Sequence, residues 1–479
     1  MTATPDLDAV VVGSGPNGLA AAVTMAQAGR SVTVLEAAAT IGGGTRSAEL
    51  TVPGVRHDVC SATHPFGVAS PYFSSLPLAE HGLQWAWPEI DLAHPLDGGR
   101  AGVMVKSLTE TAAGLGADGD AWRRTFAPLV QHFDVIAPEI LQPIAHLPRH
   151  PLALARFGLR AALPATVLAR RFRTDEARGL FAGCAAHIFF PLSRPATASV
   201  GTTLIAAGHR VGWPVAVGGS AAITDALADL LRSLGGTIET GVRVTSMAQL
   251  PPARVSLFDT TPTALERIAG DQLSAVVRRA YTRWRYGPAA FKVDLAVAGG
   301  VPWTAEPCRR AGSVHVGGTI EEIAASEADI TKGRMPERPF ILVGQQYLAD
   351  PGRSVGDVHP VWAYAHVPNG YPHDATDVVI DQLERFAPGL RERIVGRHVT
   401  TPAEFAAYNE NYVGGDIAAG ANDTRQLLIR PRLARDPYAT GIPGVFLCSS
   451  STPPGAGVHG MCGHHAARRA LRYLDIANP

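Results

Sequence analysis

Several shortages in this 479-residue chain each remove a class of function. Lysine is nearly absent, with Lys106, Lys292 and Lys332 the only three among 42 Lys plus Arg. Those 42 bases are matched by 42 acids, so there is no net positive field to hold nucleic acid, and no nucleic-acid partner is expected. Charged residues are 18% against 46% hydrophobic, too few for a disordered chain. The apolar stretches are interrupted by Gly and Arg, which leaves no uninterrupted membrane span. Cysteine is sparse and scattered (Cys60, Cys184, Cys308, Cys448, Cys462) and forms no C-x-x-C pair. That excludes a redox-active dithiol and points to a reducing compartment, so a cytoplasmic location is expected. Residues 1–8 carry two acids and no base, which is not the pattern of a secretory signal.

What is present is a rapid alternation of element types. Residues 9–12 are a short apolar strand, 13–18 a glycine turn, 19–28 a helix of small residues and 31–35 a β-branched strand, together one βαβ unit. Helical spacing follows over 121–173, broken by Pro138, Pro143, Pro148, Pro151 and Pro164, and reads as an inserted helical region. Residues 218–243 run glycine turn, amphipathic helix, glycine turn and a strand into Val244, a return to the first domain. At 291–297, Val293, Leu295 and Val297 alternate with Lys292, Asp294 and Ala296, predicting a half-buried strand. Residues 340–343 and 361–366 look alike, so an antiparallel-rich sheet is expected between about 290 and 410.

Gly13-Ser14-Gly15-Pro16-Asn17-Gly18 matches G-x-G-x-x-G between a strand and a helix. Gly13 permits the tight turn, Gly15 lets backbone approach a pyrophosphate, and Gly18 lets helix and strand pack closely. Glu36, at the end of the second strand, can accept both ribose hydroxyls and would repel a 2′-phosphate, which disfavours NADP. Gly42-Gly43-Gly44-Thr45-Arg46 follows. Its glycines and guanidinium suit a second approach to the same pyrophosphate, the alternative being an ordinary surface loop.

The run 10–46 resembles the first FAD-binding segment of the phytoene desaturase-like FAD-dependent oxidoreductases. The resemblance continues through His57-Asp58-Val59-Cys60-Ser61, His64-Pro65, Ala186-His187, Pro191-Leu192, Gly212-Trp213-Pro214 and Gly218-Gly219. It resumes at Asn411-Tyr412, Gly414-Gly415-Asp416, Arg430-Pro431 and 447–455, leading to Gly457-Val458-His459-Gly460. It implies FAD bound in extended form, with Glu36 on the adenosine ribose, Arg46 near the pyrophosphate, Val244 against the adenine, and backbone N–H groups of Gly457, Val458 and Met461 at the flavin ring. Between Val244 and the strand 255–258 only a short Pro-containing link is present, where relatives carry a longer hairpin.

Outside the cofactor motifs the candidates are few. His64 and His459 flank segments expected near the flavin, each as a catalytic proton shuttle or as a hydrogen-bonded structural histidine. His187, ahead of Phe189 and Phe190, reads as packing or pocket lining. Cys462-Gly463-His464-His465 has no fourth ligand at zinc-like spacing, so no metal is expected. Between Glu139 and Asp175 there is no acid, while Arg149, Arg156, Arg160, Arg170, Arg171 and Arg173 interleave with apolar residues. That stretch is either a solvated helical lid or a basic patch for peripheral membrane contact.

The expected fold class is α/β, a Rossmann-like FAD-binding domain (1–100, 211–290, 411–479) interleaved with a substrate domain of mixed antiparallel sheet plus helices (101–210, 291–410). The expected activity is FAD-dependent oxidoreduction at a carbon–carbon bond (desaturation, saturation or isomerisation) of a hydrophobic isoprenoid or lipid-like small molecule. Trp213, Trp303, Phe340, Trp362 and Tyr364 are candidates to line an apolar tunnel to the flavin. A second G-x-G-x-x-G, 455–460, lacks a following strand, so no separate nicotinamide domain is expected and a quinone or oxygen would exchange electrons. The alternatives are a flavin amine oxidase and a non-catalytic flavin-binding scaffold or chaperone.

Overall fold

The computed structural model describes residues 7–477; of the N-terminal stretch read above, residues 1–6 lie outside it. Two sheets organise the chain. The first has five parallel strands in the order Val445–Leu447, Ala253–Phe258, Leu7–Val12, Val32–Glu36, Thr237–Thr240. Its central strands are apolar on both faces because helices cover both, as parallel sheets require. The helix Pro16–Gln27 packs there through Leu19, Ala20, Ala21 and Ala22, whose small volumes bring its axis close, and the final helix Met461–Ala477 lies against it.

The second sheet has seven strands in the order Ile394–Thr400, Ala289–Ala298, Val358–Val367, Ile341–Gly344, Ala311–Val316, Ile90–Leu96, Arg100–Met104. All neighbours are antiparallel except Ala311–Val316 with Ile90–Leu96, which makes the sheet mixed. Helices between Leu108 and Val211 form the insertion. Pro138 does not break it but sits inside Phe133–Ile140, near that helix's end.

Three expectations need correction. A domain boundary at residue 100 is too late, since Ile90–Leu96 pairs within the second sheet. The strand before Val244 stops at Thr240, and Val244 lies in the loop beyond it. The strand Ala289–Ala298 is not half-buried: Lys292 and Asp294 are enclosed and ion-paired, with His57 Nδ1 3.3 Å from Asp294. The reason is that this face meets the Ser47–Glu49/Arg56–Asp58 hairpin and the ring of Trp362 instead of water.

Where the two halves meet, Arg353 is fully buried and pairs with Asp58 (2.5 Å) and Asp350 (2.9 Å) while donating to the Ala216 carbonyl (2.6 Å). Asp58 also accepts from Ser47 Oγ (2.8 Å) and the Ser220 N–H (2.7 Å), and these bonds and Arg353 hold it ionised against burial.

Candidate functional site

The glycine turn opens the first helix without a cap from its N-cap residue; Pro16 has no N–H and that of Gly18 is taken by Asp259, so the N–H of Asn17 is the one left in the first turn for a ligand. Gly13 has φ +101°, and a Cβ on Gly18 would collide with its carbonyl; one on Gly15 would sit 2.8 Å from Asp259 Oδ2. The cradle therefore accepts backbone only, which fits a pyrophosphate passing over it. Glu36 closes the turn by accepting from Ser14 N (2.9 Å), Ser14 Oγ (2.6 Å) and Ala38 N (2.8 Å). Arg46 stands 3.6 Å from Glu36, donates to the carbonyls of Thr40 (2.7 Å) and Ile41 (3.0 Å), and lies 5.1 Å over the Tyr408 ring.

Asp259 is the residue that sequence reasoning missed. It ends the strand Ala253–Phe258 beside the first strand, and its carboxylate accepts from Gly18 N at 2.9 Å. Burial pushes its pKa up to about 7, opposed by that N–H and reinforced by the charge of Glu36. The available signal was its place at the carboxyl end of a parallel strand, where ligands of such sheets bind.

A cavity of about 690 Å³ joins the turn to an aromatic end. Gly13, Ser14, Gly15, Pro16, Asn17, Glu36, Gly43, Gly44, Arg46, Val244, Gly457, Val458 and His64 line it; Gly18, Met461 and His459 do not. At the far end stand Val200, Leu204, Trp213, Leu342, Trp362 and Tyr364 with His187. Trp303 and Phe340 lie elsewhere, Trp303 donating to Gln345 in the second core and Phe340 packing on His315 and His366. Arg430, quoted above only as part of the Arg430-Pro431 motif and given no role, lines the cavity yet is buried, with no carboxylate bonded to it among the described residues; it donates to Gln426 O (2.9 Å), Ser450 O (3.2 Å) and Asn422 Oδ1 (2.9 Å).

The two histidine candidates are neutral. Ser220 Oγ donates to the Ser61 carbonyl, so it accepts from His64 Nε2 at 2.8 Å, and burial lowers His64 to about 4. His459 accepts from the Met461 N–H at Nδ1 (3.1 Å) inside the second glycine turn, and burial lowers it to about 4 as well. Among the described residues no group of three His, Cys, Asp or Glu is placed to hold a metal ion; His464 bonds Thr24 and His465 the Leu141 carbonyl. Burial raises the Cys60 thiol to about 11 and Cys462 to about 12, which keeps both protonated.

Comparison with known proteins agrees with this geometry. A family model described as an NAD(P)-binding Rossmann-like domain matches residues 11–76, the segment holding the turn, Glu36 and Arg46. Pyridine nucleotide-disulfide oxidoreductase domain-containing protein 2 of Rattus norvegicus is 25% identical over 98% of this chain and 94% of its own length. Phytoene desaturase (lycopene-forming) of Pseudescherichia vulneris is 31% identical over 101 residues, 21% of this chain and 20% of its own. The structure of wild-type putrescine oxidase bound to putrescine superposes with a TM-score of 0.62 at 17% identity, covering 99% of both chains, a likeness of fold. The chain is thus a homologue, along nearly its whole length, of the proteins named pyridine nucleotide-disulfide oxidoreductase domain-containing protein 2, with a mixed α/β, FAD-type oxidoreductase fold.

Proposed function

We propose that the chain is an FAD-dependent oxidoreductase acting on a carbon–carbon bond of a hydrophobic, isoprenoid or lipid-like substrate. The observation that carries this reading is the continuity of one cavity from the backbone cradle to a wall of Val200, Leu204, Trp213, Leu342, Trp362 and Tyr364. Gly13 to Asn17, Gly43 and Arg46 would hold the pyrophosphate, Glu36 the ribose, Val244 the adenine end, and Gly457 and Val458 the ring end. What FAD supplies when bound is a two-electron acceptor or donor for hydride. The aromatic wall excludes water and orients an apolar chain, and since His64 is neutral and already donating to Ser220, positioning and not a side-chain base supplies most of the rate.

The amine oxidase reading finds less support, because Lys292, on the strand Ala289–Ala298, is paired with Asp294 and is not part of the cavity wall. Quinone or oxygen is the electron partner proposed for the flavin. Purified protein should be yellow and carry a lipid identifiable by mass. A flavin that no tested lipid, quinone or amine reduces or reoxidises would overturn the enzyme reading in favour of a scaffold.

Access from a bilayer is part of the proposal. Among the described residues no single helix is long and apolar enough to cross a membrane, but Pro151–Ala161 and Ala165–Arg171, bent by 95°, together have a fitting length and composition. Leu147, Leu152 and Leu159 are 93, 77 and 74% exposed there, next to Arg149, Arg156 and Arg160. Apolar side chains with a basic rim suit an anionic interface. Liposome sedimentation should require anionic lipid and weaken with salt, and an Arg156, Arg160, Arg170 to Glu variant that sediments like wild type would refute it.

A further inference from the structure

His187 follows the helix Asp175–Ala186 and faces the apolar end of the cavity. Its Nε2 lies 3.0 Å from Nε2 of His315, on the strand Ala311–Val316. Two imidazole nitrogens at that distance share one proton: one must donate and the other accept. Burial lowers His187 to about 3 and His315 well below its ordinary value, so both rings are neutral and each carries a single N–H.

The surroundings choose between the two arrangements. Nδ1 of His315 is buried with no partner, pressed against the helix backbone at Gly183, where a Cβ would stand only 2.6 Å away. A buried N–H without an acceptor is costlier than a buried lone pair without a donor. The neighbouring His94 obeys the same rule, donating from Nε2 to the Gly318 carbonyl (2.6 Å) and leaving Nδ1 unpartnered. His315 therefore keeps its hydrogen on Nε2 and donates it to His187. That leaves the His187 proton on Nδ1, which has no partner among the described residues and, unlike Nδ1 of His315, is not buried. An accessible donor on a residue that lines the cavity is a donor to whatever fills it.

The geometry points to His187 as the hydrogen-bond donor that fixes an uncharged oxygen, a hydroxyl or carbonyl, on an otherwise apolar substrate, with His315 as the positioning residue that sets its tautomer. This rests on the proposed lipid-like substrate and narrows it to oxygenated members of that class. Val200, Leu204, Trp213, Leu342 and Trp362 at this end carry no charge, and Arg430 on the same cavity wall already donates to three protein oxygens, so the donor of His187 is matched to an uncharged oxygen.

The test compares farnesol with farnesene, a C15 pair differing chiefly in the hydroxyl, by quenching of tryptophan fluorescence in the flavin-loaded full chain. Wild type should bind farnesol about tenfold more tightly, the value of one neutral hydrogen bond. His187→Phe should bind the two alike and keep its affinity for farnesene. His315→Gln, which retains a donor towards His187, should keep the preference, and His315→Leu should lose it; this second pair serves if the phenylalanine variant does not fold. An unchanged preference in His187→Phe or in His315→Leu overturns the inference and leaves the lipid reading standing. Binding of neither compound overturns the lipid reading and the inference together.

Discussion

Replacing Asp259 with Asn isolates the charge at the base of the glycine turn. An amide oxygen can still accept from Gly18 N, which now lies 2.9 Å from the carboxylate, so the geometry survives while the ionisation is removed. Moving a carboxyl from 3.8 to about 7 corresponds to about 4 kcal/mol at 1.36 kcal/mol per unit. The carboxylate borders the cavity and is partly wetted in flavin-free protein, so a gap of about 1–3 kcal/mol is expected. Its direction follows from linkage. The folded state holds this proton more tightly than the unfolded state, so the stability it contributes is complete below about pH 4 and lost as pH rises through about 7. Urea unfolding of flavin-stripped protein between pH 5 and 8.5 should find Asp259→Asn more stable than wild type at the alkaline end, with the gap closing towards pH 5. Groups common to both proteins, such as Asp416 (raised by burial to about 6) and Asp91 (likewise about 6), cancel in the difference. Parallel curves, or a variant less stable at pH 8, would refute the reasoning.

Gly15→Val should yield colourless protein, since the branched side chain enters the space at Asp259 that a pyrophosphate needs, and flavin content by absorbance checks it. Two helical glycines should respond oppositely to alanine: Gly158, with open space around its Cβ position, should gain about 0.5–1 kcal/mol, whereas Gly183, pressed on His315, should lose about 1–2 kcal/mol in urea titrations. Stopped-flow mixing of oxidised protein with NADH or NADPH should show no rapid flavin bleaching at submillimolar cofactor.

The parts of this molecule that were legible in the chain are those decided locally. A strand, a glycine turn and a helix of alanines within 28 residues leave little freedom, and the acid at Glu36 follows from the length of that unit. What escaped was decided by register between distant segments. Asp259 bonds a glycine 241 residues away, and His187 meets a histidine 128 residues away. His187 could be read as packing or pocket lining from Phe189 and Phe190 beside it, but nothing near either residue names its distant partner. The alternation around Lys292 was read correctly as two faces, but the sequence does not say that the polar face would be roofed by a hairpin. Trp303 and Phe340 were plausible wall residues by type alone, but Trp303 packs in the second core and Phe340 in the first, behind His315 and His366.

The buried contact of Arg353 with Asp58 and Asp350 has a consequence for traffic through the protein. Swinging the two halves apart as rigid bodies would break the bonds of Arg353 to Asp58 and to the Ala216 carbonyl, leaving Asp350 on its own side as its remaining partner, which at about 1.5–3 kcal/mol per charged hydrogen bond costs about 3–5 kcal/mol. Fewer than roughly one molecule in a hundred would then stand open at any moment. A long apolar guest arriving at that rate would wait on the protein, not on diffusion. Passage is left to smaller movements: rotamer changes, loop shifts and rearrangement of side chains along the cavity wall. With the clamp shut, turnover on a long guest would be set by how fast those smaller movements admit it.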